Sequence, residues 1–219
     1  MFTATLEGQA FSQPTGKILC IGRNYAAHAA ELNNPVPDEP VLFLKPADAA
    51  CDLTKALSLP AGRGSVHHEL EIAILIGEPL KNASEGDVES AIAGVGLGLD
   101  LTLRDVQSGL KEKGLPWERA KAFDGACPLS PFIAADKLSD LTAINFTLTR
   151  NGQMQQQGCS ADMLNPIIPL IAHMSRWFTI NPGDVIMTGT PTGVGPLEAG
   201  DQLVLDLAGL LKIDTEVQR

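Results

Sequence analysis

His67-His68-Glu69-Leu70-Glu71-Ile72-Ala73-Ile74-Leu75-Ile76-Gly77 is an aliphatic run with two carboxylates two residues apart at its mouth. Its bulk and branching predict a strand. Side chains on a strand alternate between faces, so Glu69, Glu71, Ala73 and Leu75 share one face while Leu70, Ile72, Ile74 and Ile76 take the other. The two carboxylates then stand about 6.5 Å apart along the backbone. If their face is buried, two like charges need a compensating cation or raised pKa values, and a divalent metal is the simplest resolution. A strand with one wet face is the other reading of these residues.

The composition limits what surrounds this strand. The chain has 219 residues, 44% hydrophobic but only 5% aromatic, with 21 Gly and 15 Pro. That describes one turn-rich domain of short elements over residues 1–219, with 1–16 as an N-terminal arm of strand and turn. A net charge of -10, with sixteen dispersed Lys and Arg, excludes nucleic acid and anionic membrane as partners. A small anionic substrate therefore needs a local basic pocket. Cys20, Cys51, Cys127 and Cys159 form no Cys-x-x-Cys pair and read as reduced thiols. Met1 to Gln13 has neither a basic nor an apolar leader region, and no apolar run reaches eighteen residues, so a soluble cytoplasmic protein is expected.

Outward from the opening strand, Lys17–Gly22, Val41–Pro46, Asp184–Met187, Gln202–Leu207 and Leu211–Val217 read as strands. Ile144–Thr149 and Gln153–Gly158 flank Asn151-Gly152, the strongest hairpin signal present. Gly94-Val95-Gly96-Leu97-Gly98 places glycine on every second position of a strand, leaving a flat face for close approach by backbone or ligand. Its spacing does not match a dinucleotide loop. Arg23–Leu32 predicts a short helix with Asn24 as N-cap, stopping at Asn33-Asn34-Pro35, and so short a helix could order only over a ligand. Asp87–Ala91 predicts a brief helix. Leu103–Lys113 predicts a helix closed by Gly114 and Pro116, and Met163–Phe178 one interrupted by Pro166 and Pro169.

Four groups of residues can carry chemistry. Asp100, at the end of the glycine-rich strand, can join Glu69 and Glu71 in an all-oxygen site suited to Mg2+ first, then Mn2+ or Ca2+. His67 and His68 lack the second histidine of H-E-x-x-H and read as supporting or packing residues. His28 and Glu31, at i and i+3, can form a carboxylate-oriented base, although such a pair also occurs by chance on a helix surface. Arg23, Lys45, Arg104 and Lys121 all sit beside strand ends or glycine turns, where a cation would bind a carboxylate or stabilise an oxyanion; solvated charge is the alternative for each. Gln107 lies three residues from Arg104 on one helix side. Gly189-Thr190-Pro191 is a turn able to present a hydroxyl and backbone N–H to a carboxylate, or simply a turn.

Taken in order, Gly22-Arg23-Asn24-Tyr25-Ala26-Ala27-His28, Pro40–Pro46, His67–Glu71, Leu99-Asp100-Leu101-Thr102-Leu103-Arg104-Asp105-Val106-Gln107, Lys113–Trp117 with Lys121, and Thr188-Gly189-Thr190-Pro191-Thr192-Gly193-Val194-Gly195 resemble the fumarylacetoacetate hydrolase family, specifically its short acylpyruvase branch. The matching stretches span residues 17–200. The resemblance implies an α+β, β-rich fold with a mixed rolled β-sheet and flanking helices, assembled as a homodimer. It assigns Glu69, Glu71 and Asp100 to Mg2+ or Mn2+, and His28 with Glu31 to water activation. Lys121 would stabilise developing charge, and Arg23, Arg104, Gln107, Gly189 and Thr190 would contact substrate. Two departures stand out: the extra N-terminal domain of full-length fumarylacetoacetases is absent, and residues 47–66 match no motif.

The first function implied is metal-dependent hydrolysis of 2,4-diketo acids (acylpyruvates) at the C3–C4 bond, giving pyruvate and a carboxylic acid. The alternative is decarboxylation or keto–enol tautomerisation of oxaloacetate at the same site, neither of which needs water as nucleophile. A non-catalytic binding protein would not need all three carboxylates, the dyad and Lys121 together.

Overall fold

The computed structural model describes residues 2–31, 35–138 and 140–218. Leu70–Ile76 is the centre of a mixed sheet in the order Val41–Lys45, Ile18–Gly22, Val185–Met187, Leu70–Ile76, Ile92–Leu99, Cys127–Leu129, Ala50–Asp52, with Ile133–Ala134 paired beside Ile92–Leu99. Val185–Met187 runs parallel to Ile18–Gly22 and antiparallel to Leu70–Ile76. All seven residues of Leu70–Ile76 are buried, so both faces of this strand lie inside the protein and the wet-face reading fails. A second sheet has the order Gln153–Cys159, Asn145–Arg150, Gln202–Leu207, Leu211–Gln218 and Leu57–Ser58, and its buried residues join the same core as Leu70–Ile76. A small third sheet pairs Val66–His68 with Thr102–Leu103 and Gly195–Pro196. The fold is thus α+β and β-rich, a curled mixed sheet with few helices.

Local chemistry explains the elements. Asn151 (φ 52°) and Gly152 (φ 77°) adopt the left-handed pair that a two-residue hairpin turn requires, and the strands they join are Asn145–Arg150 and Gln153–Cys159. The flat glycine face is approached by protein: a Cβ on Gly96 would lie 2.8 Å from Ser130 Oγ and 3.0 Å from the Pro131 carbonyl. Glu85–Ala91 is a helix started by a Ser84–Asp87 capping box. Arg104–Glu112 follows its predicted bounds closely and is ended by Gly114 at φ 63°.

Two expectations are corrected. Pro166 and Pro169 do not interrupt their helix. Pro166 is the N-cap of Ile167–Trp177 and Pro169 lies in its first turn, where a missing N–H has no intrahelical partner to lose. Asn24 does not cap a helix either. Its side chain donates to the carbonyls of Thr188 at 2.8 Å and Asn165 at 3.0 Å and accepts from Asn165 N at 2.8 Å, so it clamps two distant loops, and the helix begins later, at Ala26–Glu31. The predicted stop at Asn33-Asn34 lies outside the described residues. No helix among the described residues is long and apolar enough to cross a membrane.

Candidate active site

Glu69 occupies the break between Val66–His68 and Leu70–Ile76, Glu71 follows inside the strand, and Asp100 stands just past Leu99, the residue paired with Leu70. Antiparallel pairing therefore delivers the third carboxylate to the first two, and Asp100 N donates to Glu69 O at 2.8 Å to close the corner. One carboxylate oxygen from each residue lies within 4.8 Å of the others, and the three residues are only 6%, 1% and 1% exposed.

Three cations face them. Lys121 Nζ lies 2.8 Å from Glu69 Oε2 and 2.5 Å from Asp100 Oδ2. Arg104 pairs with Glu69 through Nη2 and donates to Gln107 Oε1 at 2.7 Å through Nη1. Thr102 adds a hydroxyl to Glu69 Oε1 at 3.2 Å. Lys45 Nζ stands 2.7 Å from Asp100 Oδ1 but donates to the carbonyls of Lys121 and Ala126, the latter at 3.0 Å, so Asp100 Oδ1 has an ion pair without an aligned hydrogen bond. Lys45 is completely buried behind Asp100. Neither reading of the sequence, a cation for substrate or solvated charge, describes it: a strand-end ammonium turned inward spends its protons on backbone and faces the carboxylate it neutralises.

The charges divide unevenly. Burial alone would raise the Glu69 carboxyl, but Lys121 and then Arg104 outweigh it and hold Glu69 well below the usual carboxylate range. Glu71 moves the other way. Burial first, and Asp100 second, push it well above that range, against the Gly189 N–H that donates to its Oε2 at 2.7 Å. Burial would also lower Lys121, yet Asp100 and Glu69 raise it above the ordinary lysine value, so it remains an ammonium. An all-oxygen set with one carboxyl whose pKa burial and Asp100 raise and one oxygen lacking a hydrogen bond fits a hard divalent cation, and Glu69, Glu71 and Asp100 are the residues able to hold it.

His28 lines the same cleft as the three carboxylates, with Arg23, Gln107, Lys111, Trp117 and Thr190 around it. Its Nδ1 is 3.0 Å from Glu31 Oε2, and Glu31 Oε1 accepts the Gly193 N–H at 2.9 Å. A carboxylate partner at Nδ1 favours a proton on that nitrogen, which makes Nε2 the ring nitrogen turned to the role of base. The cleft is narrow, about 40 Å3, unlike a broad groove of about 1000 Å3 elsewhere that no triad carboxylate lines. Arg23 is half-buried at φ 59°, a conformation uncommon for a side-chain-bearing residue.

The structure thus brings together His28, Glu31, Glu69, Glu71, Asp100, Arg104, Gln107, Lys121, Arg23 and Thr190. Gly189 differs: at φ 95°, with a Cβ that would meet Asn24 at 2.6 Å, it must be glycine, and its N–H is spent on Glu71. His68 does not line this cleft; its Nδ1 is 2.9 Å from Gln156 Oε1, and burial lowers its pKa. Phe43, whose ring centroid lies 5.4 Å from Lys121 Nζ, and Trp117, packed edge-on against Phe43, were not anticipated; aromatic residues near strand ends and turns carry no mark of a cleft.

Comparison with known proteins bears on the family and the fold. The model of the fumarylacetoacetate (FAA) hydrolase C-terminal family matches residues 17–218. Oxaloacetate tautomerase YcgM of Escherichia coli (strain K12) is 52% identical over 204 residues, 93% of each chain. Oxaloacetate tautomerase FAHD1, mitochondrial, of Bos taurus is 40% identical over 202 residues, 92% of this chain and 91% of the bovine one. Among solved structures, fumarylpyruvate hydrolase of Pseudomonas aeruginosa in complex with Mn2+ and pyruvate superposes with a TM-score of 0.92 at 33% identity, covering 99% of this chain and 95% of that one.

Proposed function

The chain belongs to the fumarylacetoacetate hydrolase family, and from that premise we propose that it is an oxaloacetate keto–enol tautomerase. The observation that carries the reading is a histidine with Nδ1 held by Glu31, in one narrow cleft with a buried oxygen triad and a lysine ion-paired to two of its carboxylates. In the forward sense His28 Nε2 takes a proton from C3, the C–H pair moves into the C2–C3 bond, the C2=O π pair moves onto oxygen, and the imidazolium returns the proton to that oxygen, so atoms balance without water or a leaving group. Lys121 compensates the charge that develops on the C2 oxygen. Arg104, Gln107, Arg23 and the Thr190 hydroxyl bind and orient the carboxylates. A divalent cation on Glu69, Glu71 and Asp100, Mg2+ first or Mn2+, would polarise the 2-oxo group as a Lewis acid.

The two tautomerase relatives at 52% and 40% identity favour this over acylpyruvate hydrolysis, the first reading of the sequence. Hydrolysis is the second reading, supported by the fumarylpyruvate hydrolase neighbour and by a dyad equally able to deprotonate water. The test gives metal-loaded protein oxaloacetate, acetylpyruvate and fumarylpyruvate in parallel and measures enol decay together with pyruvate release. Faster enol–keto equilibration without pyruvate supports the tautomerase. Pyruvate from either diketo acid, with oxaloacetate equilibration unchanged, moves the assignment to the hydrolase, and pyruvate from oxaloacetate moves it to a decarboxylase. A homodimer is proposed from family membership, to be checked by light scattering.

A further inference from the structure

Gln156 stands on Gln153–Cys159 in the second sheet and is buried. Its amide uses its full hydrogen-bonding capacity. Oε1 accepts from Leu70 N at 2.9 Å and lies 2.9 Å from His68 Nδ1. Nε2 donates to Thr190 Oγ1 at 2.8 Å and to the Pro191 carbonyl at 3.1 Å.

Two of these partners allow only one sense. A backbone N–H can only donate and a carbonyl can only accept, so Leu70 and Pro191 together fix which end of the amide is oxygen. His68 must therefore carry a proton on Nδ1, whatever the state of Nε2. Thr190 Oγ1 must accept from Gln156, and the hydroxyl keeps its own proton, for which no acceptor is found among the described residues. Thr190 lines the cleft beside Glu69, Glu71, Asp100 and Lys121.

We propose that Gln156, backed by His68, is a positioning residue that occupies the acceptor side of the Thr190 hydroxyl, so that its proton is offered to an oxygen of the bound keto acid. The inference rests on the cleft being a keto-acid site, as argued above. An unrestrained hydroxyl rotates among donor and acceptor directions, whereas one lone pair engaged by a locked amide leaves the proton few other directions. The effect reaches the cleft from a sheet that contributes no residue to it, through one buried amide.

The test is a double-mutant cycle read as the Kd for pyruvate, by calorimetry on Mn2+-loaded protein, with a melting curve for each variant. Gln156→Met keeps length but neither donates nor accepts as an amide does, and Thr190→Val removes the hydroxyl while keeping its shape. Each single change is expected to weaken pyruvate binding about fivefold, the worth of one hydrogen bond. In the Thr190→Val background, Gln156→Met is expected to leave Kd within about twofold, because the group it positions is gone. If Gln156→Met does not fold, Gln156→Asn takes its place with the same expectation: it keeps an amide for Leu70 and draws the nitrogen back from Thr190. Equal weakening in both backgrounds, or no weakening in either, would overturn the positioning role. Failure of the wild type to bind pyruvate or oxaloacetate at all would instead overturn the reading of the cleft itself.

Discussion

Glu71 reaches the cleft from a strand whose every residue from Leu70 to Ile76 is buried, whereas His28 reaches it from the six-residue helix Ala26–Glu31, whose Ala26, Ala27 and Ala30 face solvent. The carboxylates are set by sheet pairing on both sides and by buried counter-charges. The dyad is set by one turn of helix, the His28–Glu31 contact and a single Gly193 N–H. A helix this short has little stability of its own. The difference separates two jobs. Oxygen atoms that hold a cation profit from a frame that cannot relax, while a base that must meet a carbon acid can ride on an element that adjusts to it.

The comparison breaks most visibly at Lys45. Lys45→Met would leave Asp100 buried without its rear counter-charge, and the expected loss is about 3–5 kcal/mol of stability, read as an earlier urea midpoint. His28→Ala should do the reverse. Turnover of oxaloacetate enol is expected to fall by about 10²–10⁴, with the melting temperature and Mn2+ affinity near wild type. Equal loss of metal affinity in that variant would show that the two halves are not separable. Glu31→Gln is expected to cost less, about tenfold in rate, since the glutamine oxygen can still accept from Nδ1.

A smaller effect sharpens the electrostatics of the rigid half. Glu71 is raised, so in metal-free protein it keeps a proton at pH values where an unfolded glutamate, near 4.5, has lost it. Its contribution to stability is therefore full below pH 4.5 and is lost as pH rises through its folded value. Metal-free protein should lose melting temperature on going upward from pH 4.5, metal-loaded protein should lose less, and Mn2+ uptake should release protons in calorimetry run in two buffers. Uptake without proton release would mean that Glu71 is already ionised.

The sequence made the rigid half easy to read because a period of two is a strong constraint: once Leu70, Ile72, Ile74 and Ile76 face a core, Glu69 and Glu71 must share the other side. Asp100 follows from antiparallel pairing, and His28 with Glu31 from helical spacing. Lys45 stayed open between a site cation and solvated charge because a lysine at a strand end looks the same whether its stem runs outward or inward, and only the packing behind Asp100 decides. Gln156 was not legible at all. It sits among Gln153, Gln155 and Gln157 on a strand distant in sequence, and nothing local distinguishes the one amide that meets Leu70 and Thr190. Pro166, Pro169 and Asn24 show a different limit, since a proline or asparagine near a helix start has several roles that depend on where the first turn begins.

The measurement that bears most directly on the tautomerase reading is the decay of oxaloacetate enol absorbance with metal-loaded wild type and His28→Ala, each followed by a pyruvate determination. The account predicts rapid equilibration by wild type, loss of about 10²-fold or more in the variant, and no pyruvate in either. Equilibration no faster than in buffer, or equally fast with His28→Ala, would contradict it.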